Sequence, residues 1–452
     1  MRMGGYFRLG WAMSIVPVVA MATACAAPQF EAIVGPPDLG DEWYLTFESE
    51  FEKPAFAGGN RSFVLEGYDW LEPSSDNAKW EIREGPNKEA YAVDENVLIS
   101  GRVEGADSAL ILRTSIDEAW TGNFSNPMRT GYIRTRNYRN SDPREELRFA
   151  QRFGYFEARM ILDTAPGQWG AFWLMPERST WCADSSGRDG TEIDIVEGYP
   201  RKPASNKNRN KSVNFAIHYD GYRAFHKKKI QPFPTGRQRR SFTHFDTSNF
   251  HTYGLLWTPE KYVWYIDGQP VYQIDDPDQI SQVEKFIKLS TEVAAWSGEL
   301  DSRTLPADTI VDWVRVWQTD RLAEGNPYIF EAEAAGVDRG AGVWTQRLTA
   351  GTWCRGTFAK SNKTGRLTVP IDEPVDTKEI GIRVSNPHDD ESNLKLFVNG
   401  ELAKSWTNID LDQIFVLKHK LDGDRAEEIE IEWTGGIAVD QVYLVPNESL
   451  YP

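Results

Sequence analysis

Three carboxylates stand close together in the stretch TEIDIVEG, residues 191–198: Glu192, Asp194 and Glu197. Ile193, Ile195 and Val196 between them are β-branched, so the local preference is a strand. Residues two apart in a strand share a face, which puts Glu192 and Asp194 together and turns Ile193 and Ile195 to the other side. Val196 then follows Ile195 directly, and Glu197 falls on the wrong parity. A one-residue bulge near Ile195–Val196 returns it to the acidic face. The outer two Cα atoms of such a row lie roughly 13 Å apart. Glutamates leaning toward each other would narrow the carboxyl gap to about 5 Å, the spacing for retaining hydrolysis of a glycosidic bond. One acid would attack the anomeric carbon; the other would protonate the leaving oxygen and later activate water. Asp194 between them would couple to both, and coupled carboxyls hold a proton to higher pH. The competing account is a solvated strand face with ordinary surface acids.

The elements that must position this face are strands. From about Asp41 to Gln318, runs such as ENVLISGRV, SALILRTS, FGYFEARMIL, SVNFAIHY, HTYGLLWT and VDWVRVWQ alternate with turn signals. YIDGQPVY is a hairpin signature, with Asp-Gly at the turn. The polar patch Asp276–Glu284 suggests at most a short helix. Composition shifts to a linker over 319–327, and a second strand-rich stretch follows over 328–446. A length of 452 residues fits two domains, and 17 Trp, 17 Tyr and 22 Phe favour an all-β chain. Many short strands without helices make β-sandwiches the default for both parts. The formal charge of −17 argues against nucleic-acid binding.

The first residues read as an export signal over 1–24, with two arginines, a short apolar core (WAMSIVPVVAM) and small residues before Cys25. The core is too short to span a bilayer. The expectation is an exported protein, either secreted or tethered as an outer-membrane lipoprotein through Cys25. Residues 25–40 read as a disordered leader. Cys182 and Cys354 are far apart, so no disulfide framework is expected.

RFGYFEARMILDTAPGQWGAFWLMPE (152–177), then GTEIDIVE, FHTYGLLWTPEKYVWYIDGQPVY (250–272) and VDWVRVWQ (311–318) together resemble glycoside hydrolase family 16 in its bulged E-x-D-x-x-E form. The resemblance covers nearly all of 41–318. It implies a concanavalin-like jelly-roll sandwich with an open cleft, and endo-acting, retaining hydrolysis of a β-linked polysaccharide without a catalytic cofactor. It makes Glu192 the nucleophile, Glu197 the acid/base and Asp194 the assisting acid. Trp169 and Trp173 match cleft tryptophans, whose indoles can stack on the apolar faces of sugars. His218, alternating with Ala216 and Asn214, matches a cleft histidine, and Trp296 is a further cleft candidate; each is equally a core residue on packing grounds.

A local reversal of charge follows the acidic strand. Residues 201–240 hold twelve Lys and Arg against one acid, Asp220. This segment is either a solvated loop or a positive flank for an anionic polysaccharide, with Arg223 and Lys227 to Lys229 as its contacts. It tips the expected substrate toward an algal, sulfated galactan such as porphyran, carrageenan or agar, with endo-β-1,3-glucan hydrolysis as the alternative. A non-catalytic polysaccharide-binding lipoprotein is a further alternative. The second domain opens with EAEAAG and closes with IAVDQVYLVP, and so resembles carbohydrate-binding modules of the family 6 or 35 type. That resemblance implies a smaller β-sandwich with a structural calcium on Glu331, Glu333 and Asp440, oxygen ligands of the right kind. The expected partner is polysaccharide, and the expected state a monomer.

Overall fold

The computed structural model describes residues 35–451 except 52–63, 67–77, 83–84, 88–89, 117–127, 137–146, 163–164, 177–183, 199–209, 223–224, 295–296, 299–300, 335–336, 351–353, 362–363, 386–391 and 410–413. The fold is all-β. The acids lie on a sheet ordered Lys227–Phe233, Val213–Tyr219, Glu192–Glu197, Gln168–Pro176, Lys285–Val293, Tyr132–Arg134, Ala78–Ile82 and Val64–Glu66. A second sheet runs through Gln269–Ile274, Tyr262–Ile266, His251–Trp257, Gly154–Ile161, Ala307–Gln318 and Ala109–Ile116. The two pack face to face as a jelly-roll sandwich around one core. Ile193, Ile195, Val196, Phe172, Leu174, Phe215 and Ile217 of the acidic sheet meet Phe156, Met160, Leu255, Trp257, Val314 and Val316 of the other.

The inferred bulge is present. Glu192 pairs with His218 and Asp194 with Ala216, but Glu197 pairs with Asn214, so three residues on one strand span two on its neighbour. The other neighbour shows the same slip, with Trp173 opposite Asp194 and Ala171 opposite Glu197. Burying Ile193, Ile195 and Val196 is worth about 1.5–3 kcal/mol each, and any register that turned them outward would also bury the acids. Trp264 of the opposite sheet fixes the backbone here, its indole N–H donating to the Asp194 carbonyl at 3.1 Å. The Asp-Gly hairpin forms as read, joining Tyr262–Ile266 to Gln269–Ile274 with Asp267 and Gly268 at φ 49° and 70°.

Three local readings change. Residues 35–40, expected in the disordered leader, dock on the sandwich. Leu39 joins the core, Gly35 N donates to Glu157 Oε2 (3.2 Å) and Trp43 Nε1 donates to the Pro37 carbonyl (2.9 Å). The 319–327 linker contains a helix turn, Asp320–Glu324, because Thr319 Oγ1 accepts from Leu322 N and Leu322 is buried in the core. Asp276–Glu284 forms turns rather than a helix, with Asp276 bonding forward to Asp278 and Gln279.

The second domain has its own core, including Leu367, Ile380, Ile382, Ile431, Trp433 and Val442. Its long strand Thr364–Ser385 pairs first with Arg425–Thr434 and then with Ile414–Lys420 and Ala438–Pro446, passing from one half of the β-structure to the other. After Pro446 the chain returns to the first domain. Leu450 N donates to Glu260 Oε1 (2.9 Å), the Leu450 carbonyl accepts from Arg321 Nη1 (2.9 Å), and Tyr451 is buried in the first core.

Candidate active site

With the hydrophobic residues of the strand turned inward, the acids share the outer face. Glu192 is 9% exposed, Asp194 3% and Glu197 6%, so these are not the solvated surface acids of the competing account. Cross-strand pairs extend the face on both sides: His218, Ala216 and Asn214 on one, Trp173, Ala171 and Trp169 on the other. Beyond the tryptophans come Lys288, Ser290 and Glu292, then Arg134 and Tyr132.

Burial pushes the Glu197 carboxyl well above the usual carboxylate range, and the charges of Asp194, Glu192 and Glu292 push it further. The Trp169 indole, set beside it, acts in the opposite sense. Glu197 is therefore the acid that keeps its proton. His218 answers Asp194, with Nε2 3.4 Å from Asp194 Oδ2. Burial alone would lower the His218 pKa, but Asp194 and Glu192 raise it on balance. Its Nδ1 lies 2.9 Å from His226 Nε2, the two rings stacked at 5.1 Å. Burial, His218 and Lys228 all lower the His226 pKa. The opposite shifts assign the shared proton: His218 donates and His226 accepts. The ligand atoms of Glu192, Asp194 and His218 all lie within 4.8 Å of one another. A charged imidazole there supplies the cation that two neighbouring carboxylates need.

Both sequence-derived tryptophans reach this face. Trp169 is buried at 8% exposure and packs with Ala171, Ala294 and Trp173. Trp173 is half-buried; its Nε1 donates to Ser290 Oγ (3.1 Å), its ring carries the Lys288 ammonium at 3.7 Å, and Tyr132 meets it edge-on at 6.1 Å. Lys228 lies on the edge strand directly opposite His218. Lys227 to Lys229 thus belong to a strand flanking the acids rather than to a free loop. Arg223 and Trp296 lie outside the described residues, as do Cys25 and the 1–24 signal.

The expected calcium ligands have other partners. Asp440 is ion-paired with Arg383, and Glu331 Oε1 accepts from Gln441 Nε2 (2.7 Å). Burial, Asp440 and Glu333 together raise the Glu331 carboxyl to about 7. At Asp440 a guanidinium stands where an oxygen-ligated cation was expected. Glu292, Lys288, Tyr132 and His226 were not anticipated. The alternation of Lys288, Ser290 and Glu292 with Ile287, Leu289 and Thr291 is the signal that could have exposed the first two.

A buried acid pair on the outer face of one sheet of a two-sheet sandwich, edged by tryptophans, defines a glycan-cleaving class of site. Residues 114–315 match the model of glycosyl hydrolases family 16, and the chain carries a domain of that family. It is 29% identical over 176 residues to an endo-1,3-1,4-β-glycanase of Rhizobium meliloti, covering 38% of this chain and 32% of that protein. It is 27% identical over 176 residues to the κ-carrageenase of Pseudoalteromonas carrageenovora, covering 36% of this chain and 43% of that one. The chain thus spans less than half of either relative's length. A solved structure of a non-specific endo-β-1,3(4)-glucanase superimposes with a TM-score of 0.44 and 20% identity over 63% of this chain and 94% of that one.

Proposed function

We propose that the chain is a retaining endo-β-glycosidase acting on a β-linked polysaccharide. Glu192 attacks the anomeric carbon, and Glu197 protonates the leaving oxygen and then activates water. Asp194 orders the pair and keeps His218 charged. The observation that carries this reading is the shared outer face of Glu192 and Glu197 across the bulge, with only Glu197 held up as a proton donor. Glu192→Gln is expected to abolish hydrolysis while leaving the fold and substrate affinity intact; continued cleavage by that variant removes Glu192 as nucleophile. Glu197→Gln is expected to recover most on substrates whose leaving group needs little protonation.

The substrate is an anionic algal galactan such as porphyran, carrageenan or agar. Lys288 against Trp173 and Lys228 across from His218 put cations on both sides of the acids, which supports this choice. The second reading, an endo-β-1,3-glucanase, is favoured by the glucan substrates named for the first relative and for the superimposed structure. Reducing ends released from laminarin, agarose, porphyran and κ-carrageenan at low and moderate salt decide between them. Cleavage of a sulfated galactan that weakens with salt supports the first; cleavage of laminarin alone supports the second. The proposal includes export, with or without a lipid tether at Cys25. It also includes glycan contact by the second domain, where Trp344 is 40% exposed.

A further inference from the structure

The acidic strand is entered through a short loop, 184–191, and the second domain holds that loop. Arg383, near the end of strand Thr364–Ser385, is buried at 7% exposure yet reaches out of its own sandwich. Its Nε donates to Asp184 Oδ2 (2.8 Å) and its Nη2 to Asp189 Oδ2 (3.3 Å), at the two ends of the loop. Its Nη1 donates to Asp440 Oδ2 of its own domain. Arg188, between the two aspartates, lays its guanidinium 3.7 Å over the ring of Tyr443, also in the second domain. Tyr443 Oη donates to Asp278 Oδ1 (3.1 Å), and the Asp278 carbonyl accepts from Gly187 N (2.6 Å), closing the circuit back to the loop.

The loop has little else to shape it. Its sequence, DSSGRDGT, offers no apolar side chain to a core. Its internal bonds are local: Ser186 N to Asp184 Oδ1 (2.8 Å), Arg188 N to Ser186 Oγ (3.1 Å) and Thr191 Oγ1 to the Gly187 carbonyl (2.7 Å). A single guanidinium that binds both ends is therefore the main long-range restraint on where the chain enters Glu192, with no residue between Thr191 and that acid.

We infer that the second domain is a brace for the catalytic strand, and that Arg383 is a positioning residue that fixes loop 184–191 and, through it, the Glu192 carboxylate. The inference deepens the reading of Glu192 as nucleophile given above and rests on it. It gives Asp440 a task other than holding calcium: it completes the acidic socket that orients Arg383.

The test uses the full chain with Arg383→Met, Arg383→Lys and, as a control, Glu260→Gln, which loosens the same two domains at the Leu450 contact away from the loop. Arg383→Met is expected to lower kcat ten- to a hundredfold with KM within threefold, and Arg383→Lys to recover part of the loss. Glu260→Gln is expected to stay within twofold. Amide hydrogen exchange over 184–191 is expected to quicken at least tenfold in Arg383→Met and not in Glu260→Gln. Unchanged exchange in Arg383→Met, or equal loss of kcat in Arg383→Met and Glu260→Gln, overturns the brace. Should Arg383→Met not fold, Asp189→Asn, which removes one end of the socket, carries the same two readouts. If the parent chain cleaves no glycan, the nucleophile reading fails on its own, while the exchange rates still decide the brace.

Discussion

Replacing Asp194 by Asn removes one charge from the row while keeping size and shape. Glu197 owes its raised pKa first to burial and next to Asp194. The bulge compresses three residues into two strand positions, opposite Ala216 and Asn214. The two carboxyls therefore hang from Cα atoms about 6.6 Å apart. Two unit charges at that separation and an effective dielectric of about 20 interact by about 2.5 kcal/mol, or just under two pH units at about 1.36 kcal/mol each. His218 loses its partner as well, and its departing charge offsets part of this, so a fall of one to two units in the Glu197 pKa is expected. The alkaline limb of kcat/KM against pH reports loss of the acid's proton in the free enzyme. In Asp194→Asn that limb moves down, and activity at pH 8 falls more steeply than activity at pH 5. A limb that stays within roughly 0.3 unit, or rises, refutes the assignment of Glu197 as the acid coupled to Asp194.

Further outcomes follow from the same structure. The buried Glu157 carboxyl, which accepts from Tyr155 Oη (3.1 Å) and Gly35 N (3.2 Å), is raised by burial from 4.5 to about 7. A carboxyl raised on folding costs nothing below its unfolded value and drains stability as pH climbs through its folded one. Glu157→Gln should thus gain up to about 3 kcal/mol on the parent between pH 5 and pH 8; denaturant unfolding that shows a constant gap across that range removes the account. Trp173→Ala takes away the surface under Lys288 and should raise KM about tenfold with kcat within threefold. Falling kcat at unchanged KM would instead make Trp173 a support for the acids. Deleting Val196 removes the bulge yet leaves three acids on one parity. The variant should lose about 1.5–3 kcal/mol of unfolding free energy and keep measurable hydrolysis, and a folded but inert variant contradicts the parity argument.

The acidic face was legible because its logic is local. Strand parity, one bulge and β-branched neighbours are all contained in eight residues, and the Asp-Gly hairpin is just as local. Lys288 and Tyr132 were not legible, because they reach the face through strands paired across more than a hundred residues of sequence. His226 follows a segment whose charge suggested a loop, and only its pairing beside Val213–Tyr219 brings it to His218. Leu39 and Leu322 sit in stretches whose Pro, Gly and polar content looks like linker, yet one apolar side chain in each is enough to dock it. Asp440 was read by its place near the end of a strand-rich domain. Nothing in the local sequence shows that Arg383 would claim it.

The return of the chain at Ser449–Tyr451 has a consequence for biosynthesis. Tyr451 is buried in the core of the first domain and its Oη donates to the Gly325 carbonyl at 2.8 Å. That core therefore cannot be completed until some 130 residues after its last strand have been made, a wait of roughly ten seconds at 5–20 residues per second. A domain that would otherwise fold behind the ribosome is left open at the Tyr451 site, and translation order becomes a timing device that delays its closure until the second domain exists.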